Sequence, residues 1–142
     1  YTAARMDRGV HLQAIVFALG GTLVRTENGH VTLDQEGRIQ PLPGVLEKLK
    51  RLNACTVLVI TNDAQARSII QQLDKLCGGV ISGHGVYGNG QEATSAIADL
   101  LAKFKLPAAA ALMVGADVAG ETSARAAKLA KFIPAREYFA AP

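Results

Sequence analysis

Residues 14–24 of the chain, Ala-Ile-Val-Phe-Ala-Leu-Gly-Gly-Thr-Leu-Val, decide the fold. The residues from Ala14 to Phe17 form a short apolar run with β-branched and aromatic side chains, which is typical of a buried central strand. The stretch then reaches Gly20-Gly21, where a backbone without Cβ atoms can turn sharply or approach a ligand closely. It therefore predicts a buried strand that ends in a tight loop.

Strands and helices are expected to alternate along the rest of the chain. Apolar runs predict further strands at residues 56–61, 79–82 and 111–115. Apolar residues with a period of 3.6 predict helices whose buried faces lie at residues 45–52, 69–76 and 96–104, and an alanine-rich helix is expected at 121–131. Residues 132–139 are expected to add an edge strand, broken by Pro134.

This alternation implies βαβ units and therefore a parallel sheet. The predicted fold is α/β: a three-layer, Rossmann-like sheet with helices on both faces, in a single domain over residues 10–140. The strands at 14–17 and 57–60 are expected to be adjacent in its middle. An Asn-Gly pair at Asn28-Gly29, between loosely alternating residues, predicts a small β-hairpin flap from Val24 to Ile39.

Composition and charge exclude several classes of protein. Hydrophobic residues make up 49% of the 142 residues and charged residues 19%, as in an ordinary globular domain. No apolar run approaches the roughly 18 residues of a membrane-spanning helix, and no signal peptide is recognised, so the predicted location is cytoplasmic.

Tyr1 to Arg5 precede Met6, which is a possible natural start. Cys55 and Cys77 lie among apolar residues and are interpreted as reduced core thiols.

The positive charge of the chain is mild. The net charge is +3, and Lys48, Lys50 and Arg51 alternate with leucines at helical spacing. Such a cluster is usually a solvated helix face, so no nucleic-acid partner is expected.

The frame Phe17-x-x-x-Gly-Thr-Leu-Val24 resembles motif I of the haloacid-dehalogenase-like (HAD) phosphohydrolases, hydrophobic-Phe-Asp-x-Asp-Gly-Thr-Leu-Val. The positions of the two aspartates hold Ala18 and Gly20 in this chain. In that family the first aspartate is the nucleophile and the second is the general acid/base. A methyl group cannot attack phosphorus, and glycine has no group to protonate. The resemblance thus implies the HAD-like fold without the usual catalytic residues.

Other family motifs match in frame but not in catalytic residues. Pro-Gly-Val-x-x-x-Leu-x-x-Leu at 43–52 is similar to the family pattern, and Thr61-Asn62 resembles motif II, in which a hydroxyl holds the transferring phosphate. By resemblance, Thr61 and Asn62 are candidate phosphate- or anion-binding residues. Asn89 stands in the place of the motif III lysine, and Ala116 in the place of the motif IV aspartate. The span between Thr22 and Thr61 is too short for a large inserted cap domain.

One acidic pair is a candidate metal site. Asp117 and Glu121 fit the acidic-x-x-x-acidic spacing of motif IV if one residue is inserted, and carboxylate oxygens suit Mg²⁺. Alternatively, Asp117 ends a strand and Glu121 lies favourably near a helix N-terminus. Because the motif I carboxylate is missing, no cofactor is expected, and Mg²⁺ is expected to bind weakly or not at all. Asp63 is expected to cap the helix that follows it.

A glycine pattern offers a weaker alternative. Gly83-x-Gly85-x-x-Gly88 matches a dinucleotide-binding fingerprint. Lone matches in glycine-rich segments are common, and the pattern follows the third strand rather than the first.

Two hypotheses for the function follow. The first is a HAD-like protein that lacks the aspartate nucleophile and acts as a catalytically inactive binding, scaffold or regulatory protein. It would associate as a homo-oligomer or with a protein partner through the flap, Val24 to Ile39. The alternative is a HAD-family phosphohydrolase that acts on a small phosphomonoester with Mg²⁺ and displaced carboxylates, namely Asp63, Asp117 and Glu121.

Overall fold

The computed structural model describes residues 12–28, 30–52, 54–63, 65–88 and 92–140. In chain order its elements are β1 (Ala14–Ala18), β2 (Thr26–Glu27), β3 (His30–Val31), α1 (Val45–Leu49), β4 (Thr56–Thr61), α2 (Ala66–Leu76), β5 (Ile81–Val86), α3 (Ala93–Lys103), β6 (Ala111–Gly115), α4 (Val118–Ala126), β7 (Lys131–Pro134) and α5 (Ala135–Ala140). A short 3₁₀ turn, Ala108–Ala110, precedes β6.

The main sheet has five strands in the order β5-β4-β1-β6-β7. All neighbouring strands are parallel, and β1 lies in the middle, where Phe17 pairs with Val59 of β4 and Val114 of β6. The predicted parallel sheet, with the strands at 14–17 and 57–60 adjacent at its centre, is confirmed.

Side chains of the central strands alternate between two apolar cores, one on each face of the sheet. Ile15 and Phe17 belong to the core that is covered by α1, α2 and α5. Val16 belongs to the opposite core, which is covered by α3 and α4. Because β1 has a helix layer on each side, it is apolar at successive positions rather than at alternate ones. The predicted three-layer α/β architecture is confirmed.

The C-terminal segment differs from the prediction of one broken edge strand at residues 132–139. Pro134 ends the edge strand β7, and α5 follows at once. This helix places Tyr138 and Phe139 against the fully buried Phe17, with ring centroids 5.7 and 6.0 Å away. The prediction was wrong here because burial of these rings on the sheet outweighs their strand propensity.

The preceding helix also has different bounds from those predicted. The predicted helix at 121–131 begins earlier, at Val118, and ends at Ala126. Asp117 provides the N-cap, and Lys128 has a φ of 65°, in the left-handed region that ends a helix. Lys131 therefore begins β7 instead of ending α4.

Strand β5 is longer and later than the predicted strand at 79–82. Gly83 and Gly85 lie inside it. A Cβ atom at Gly83 would lie 2.8 Å from the ring of Phe104, and one at Gly85 would lie 3.3 Å from Leu100. The two glycines thus allow α3 to pack closely on the strand. They do not form the loop that a dinucleotide fingerprint requires, so this alternative is wrong.

The predicted flap is present as the antiparallel hairpin β2–β3, in which Thr26 pairs with Val31 and Glu27 pairs with His30. Gly29 lies outside the described residues. Isolated bridges extend the hairpin, pairing Leu33 with Ile39 and Val24 with Pro41. The flap is therefore joined to the segment that leads into α1.

None of the helices in the described part of the chain combines the length and apolar composition that crossing a membrane requires.

The close packing of α3 on β5 is testable at Gly83. We expect Gly83→Ala to lower the free energy of unfolding by about 1–3 kcal/mol, because the new methyl overpacks the contact with Phe104. Urea denaturation measures this change. In a Phe104→Leu background the cost of Gly83→Ala should shrink, since the ring is gone. Equal costs in both backgrounds would contradict the described packing.

Candidate functional site

A cavity of about 430 Å³ opens where β1, β4 and β6 end. Ala18 and Gly20 reach it from β1, Thr61 and Asn62 from β4, and Asp117 from the segment after β6. The carboxyl ends of parallel strands are the common ligand-binding edge of open α/β sheets. The sheet thus brings together the residues that the motif frame singled out at positions 18, 20, 61 and 62.

Neither position that corresponds to the motif I aspartates has a functional group. Ala18 is the last residue of β1 and is half-buried. A Cβ atom built on Gly20 would lie only 2.8 Å from the Cγ2 methyl of Thr26 in the flap. The flap therefore occupies the space that a side chain at position 20 would need.

Thr61 provides a buried hydroxyl at the end of β4. Only 5% of the residue is exposed, and its Oγ1 accepts a hydrogen bond of 3.1 Å from the backbone N–H of Asp63. The hydroxyl donates to no group among the described residues. Its proton is therefore available to an acceptor in the cavity.

Asp63 has a structural role instead of facing the cavity. Gln65, rather than Asp63 as predicted, is the N-cap of α2, and its N–H donates to Asp63 Oδ1 at 2.8 Å. The N–H of Val31 in the flap donates to Asp63 Oδ2 at 3.4 Å. An aspartate side chain commonly accepts a hydrogen bond from the backbone N–H two residues further on. Asp63 therefore binds the N–H of the N-cap residue Gln65 instead of being the N-cap itself. Asp63 therefore ties the flap to the start of α2.

Asp117 and Glu121 are engaged by other groups. Asp117 Oδ1 accepts from the N–H of Gly120 at 2.8 Å as the N-cap of α4, and Glu121 Oε2 lies 2.8 Å from Nη2 of Arg125. Both acidic residues also line an adjoining cavity of about 320 Å³.

The described residues fit a magnesium site poorly. Mg²⁺ prefers near-octahedral oxygen ligands and is usually held by one or two carboxylates together with waters, and Asp117 is the one carboxylate among the described residues that line the cavity. Among the described residues there is no group of three or more His, Cys, Asp or Glu side chains that could hold a metal ion. Ala18 and Gly20 contribute no side-chain oxygen. Asn89, at the place of the motif III lysine, lies outside the described residues.

Three polar residues of the cavity were not predicted from the sequence: Thr26 of the flap, Tyr87 and Ser123. Tyr87 follows β5, and its N–H donates to the carbonyl of Thr61 at 2.9 Å, which places the ring beside the end of β4. Ser123 reaches the cavity from α4. The pKa of the Tyr87 phenol is raised by burial and, secondly, by the negative charge of Asp117. Tyr87 was missed because Gly83 and Gly85 favoured the prediction of a loop, whereas β5 continues to Val86.

The electrostatic character of the cavity follows from this lining. Asp117 is the one charged side chain among the described residues that line it, and no Lys, Arg or His is among them. The remaining polar groups are the hydroxyls of Thr26, Thr61, Tyr87 and Ser123 and the amide of Asn62.

Comparison with known proteins gives a match in structure alone. No protein-family model matches the chain, and no curated protein does. A haloacid-dehalogenase-like hydrolase from Streptococcus pneumoniae matches with a TM-score of 0.66 and 14% identity, over 91% of this chain and 97% of that one. A HAD-superfamily hydrolase of subfamily IA from Geobacter sulfurreducens matches with a TM-score of 0.65 and 14% identity, over 91% and 98%.

A third match is the D,D-heptose 1,7-bisphosphate phosphatase from B. bronchiseptica, with a TM-score of 0.60 and 20% identity, over 86% of this chain and 78% of that one. At identities of 14–20% these matches show the fold alone. The chain adopts the haloacid-dehalogenase-like fold, as the resemblance in motif I implied.

The proximity of Tyr87 to Asp117 is testable by titration. We expect Asp117→Asn to lower the pKa of Tyr87, because it removes a negative charge that opposes the tyrosinate, yet to leave it above 10.0 because the ring stays buried. Ultraviolet absorbance of tyrosinate measures the pKa in a Tyr138→Phe background, and Tyr87→Phe assigns the signal. Asp99→Asn, outside the cavity, is the matched control. An unchanged pKa in Asp117→Asn would contradict the geometry.

Proposed function

We propose that this chain is a catalytically inactive HAD-like protein that acts by binding, as a ligand-binding, scaffold or regulatory domain. The observation that carries the proposal is the methyl group of Ala18 at the end of β1, on the wall of the cavity. Covalent phosphoryl transfer in the family passes through an aspartyl-phosphate, which needs a carboxylate at this position.

The contact between Gly20 and the flap supports the same proposal. The second motif I carboxylate would protonate the leaving group and then activate water, which is worth about 10²–10⁴-fold in rate. The space for it is taken by the Thr26 methyl, 2.8 Å from where a Cβ at position 20 would lie. In this arrangement the loop and the flap therefore leave no space for a side chain at position 20.

The charge of the cavity also supports the proposal. Phosphoryl transfer depends on cations that neutralise the developing negative charge. The described lining offers no cationic side chain, and the carboxylate of Asp117 would repel a phosphate.

The alternative, a phosphohydrolase with displaced carboxylates, is supported by the fold that the chain shares with phosphatases. It requires a free carboxylate at the reacting phosphorus. However, Asp63 is hydrogen-bonded to backbone N–H groups, and Glu121 is paired with Arg125. Asp117 is therefore the carboxylate on which this alternative depends.

We expect the wild-type protein to show no Mg²⁺-dependent hydrolysis of p-nitrophenyl phosphate above the buffer background. The measurement is release of nitrophenol over time, with and without chelator. Hydrolysis that follows the protein through purification and disappears in Asp117→Asn would overturn the proposal and favour the alternative.

A revertant provides the matched positive control. Ala18→Asp and Gly20→Asp restore the two carboxylates, and Thr26→Ala removes the methyl that position 20 would strike. We expect slight activity from this triple variant and less from the double variant that keeps Thr26. Adding Asn89→Lys and Ala116→Asp should raise the activity further if the motif frame is aligned correctly.

We also propose that the protein associates, with itself or with a partner, through the flap at residues 24–39. The proposal is supported by Leu33, a large apolar residue of the flap that is 36% exposed. Light scattering over a range of concentrations tests self-association. We expect Leu33→Lys to weaken it, whereas Leu76→Lys, at an equally apolar exposed position on α2, should leave it unchanged. A monomer at every concentration, together with a flap deletion that keeps every partner interaction, would contradict this proposal.

A further inference from the structure

The cavity at the carboxyl ends of β1, β4 and β6 has the size of a small-molecule site. Its volume of about 430 Å³ falls in the roughly 300–1,000 Å³ range of ligand pockets. Three of its lining residues at the end of β1, Ala18, Gly20 and Gly21, have no side chain larger than a methyl group. A ligand of the size of one sugar ring can enter without displacing the sheet.

The polar groups of the cavity include both hydrogen-bond donors and an anionic acceptor. The buried Thr61 hydroxyl has a proton with no acceptor among the described residues. The Tyr87 phenol carries its proton near neutral pH, as tyrosine ordinarily does, and burial and Asp117 raise its pKa further. Asp117 uses Oδ1 for the helix cap, while Oδ2 accepts no hydrogen bond from the described residues. The hydroxyl of Ser123 can both donate and accept.

These groups discriminate between ligands by charge. A phosphate would bring negative charge towards Asp117, with no described cationic lining residue to compensate it. An ammonium group would instead make a charge-assisted hydrogen bond with Oδ2 of Asp117. Ligand hydroxyls would match Thr61, Tyr87 and Ser123, each of which is a neutral polar partner.

We propose that the cavity binds a small polyhydroxylated amine, with the ammonium on Asp117 and ligand hydroxyls on Thr61, Tyr87 and Ser123. This inference rests on the proposed non-catalytic function and names the class of ligand that such a domain takes. The chemistry recognised is that of an amino sugar or a similar amino polyol.

Three sugars of similar shape and different charge test the proposal: glucosamine, glucose and glucose 6-phosphate. Binding to the whole wild-type protein is measured by calorimetry at low salt, near neutral pH. We expect glucosamine to bind about two- to fivefold more tightly than glucose, because its ammonium forms an ion pair with the exposed Asp117 carboxylate, whereas glucose offers only a neutral hydroxyl. Glucose 6-phosphate should bind more weakly than glucose.

Asp117→Asn isolates the charge without removing the cap, because asparagine is as good an N-cap residue as aspartate. In this variant the preference for glucosamine over glucose should disappear. Asp99→Asn, on α3 and outside the cavity, should keep the wild-type preference. Tyr87→Phe should weaken binding of both glucosamine and glucose, since it removes the hydroxyl and retains the ring.

The outcomes separate this inference from the proposed function. Equal binding of glucosamine and glucose, no binding of either sugar, or a preference that survives Asp117→Asn would overturn the inference. Tighter binding of glucose 6-phosphate without hydrolysis would also overturn it, yet would leave the non-catalytic function intact. Hydrolysis of glucose 6-phosphate, seen as release of inorganic phosphate, would overturn the proposed function itself.

Discussion

Strand β1 is hydrogen-bonded to a parallel neighbour along both edges and packed under helices on both faces. This constraint orders the rest of the structure, because a strand enclosed in this way has room for apolar side chains only. The one part of it that can meet a ligand is its carboxyl end, at Ala18 and the glycine loop that follows. Whatever side chain stands there therefore decides which chemistry the fold can support.

The central strands of the sheet could be predicted from the sequence because burial on both faces leaves a continuous apolar run. Both β1 and β6 have this pattern, and their bounds were close to those expected. Strand β5 was missed in part, since Gly83 and Gly85 have no strand propensity of their own. Their role depends on Phe104 and Leu100, which are distant in sequence. Helix α5 was missed for a similar reason, because contact with Phe17 decides its conformation.

Some residues of the candidate site could likewise be predicted from local sequence motifs, whereas the roles of others depend on contacts that form only in the folded structure. Ala18, Gly20, Thr61 and Asn62 were found because motif frames fix positions at the ends of strands. Spacing could not show that the carboxylates of Asp117 and Glu121 are used by a helix cap and by Arg125, since those partners depend on side-chain conformation. Tyr87 could not be found because its position depends on the true end of β5.

The flap limits which side chains fit at position 20. Two side chains hold the flap in place. Asp63 accepts a hydrogen bond from the N–H of Val31. Gln72 of α2 binds the segment at residues 37–39, where its Oε1 accepts from the N–H of Ile39 at 3.0 Å and its Nε2 donates to the carbonyl of Gly37 at 3.3 Å. The hairpin backbone is thus held at two points, and the Cγ2 methyl of Thr26 lies beside Gly20. A side chain at position 20 would require this methyl to rotate away or to be removed, since a Cβ atom there would lie 2.8 Å from it. Positions 20 and 26 are therefore coupled by packing, because a larger side chain at position 20 requires a change in the rotamer or identity of residue 26.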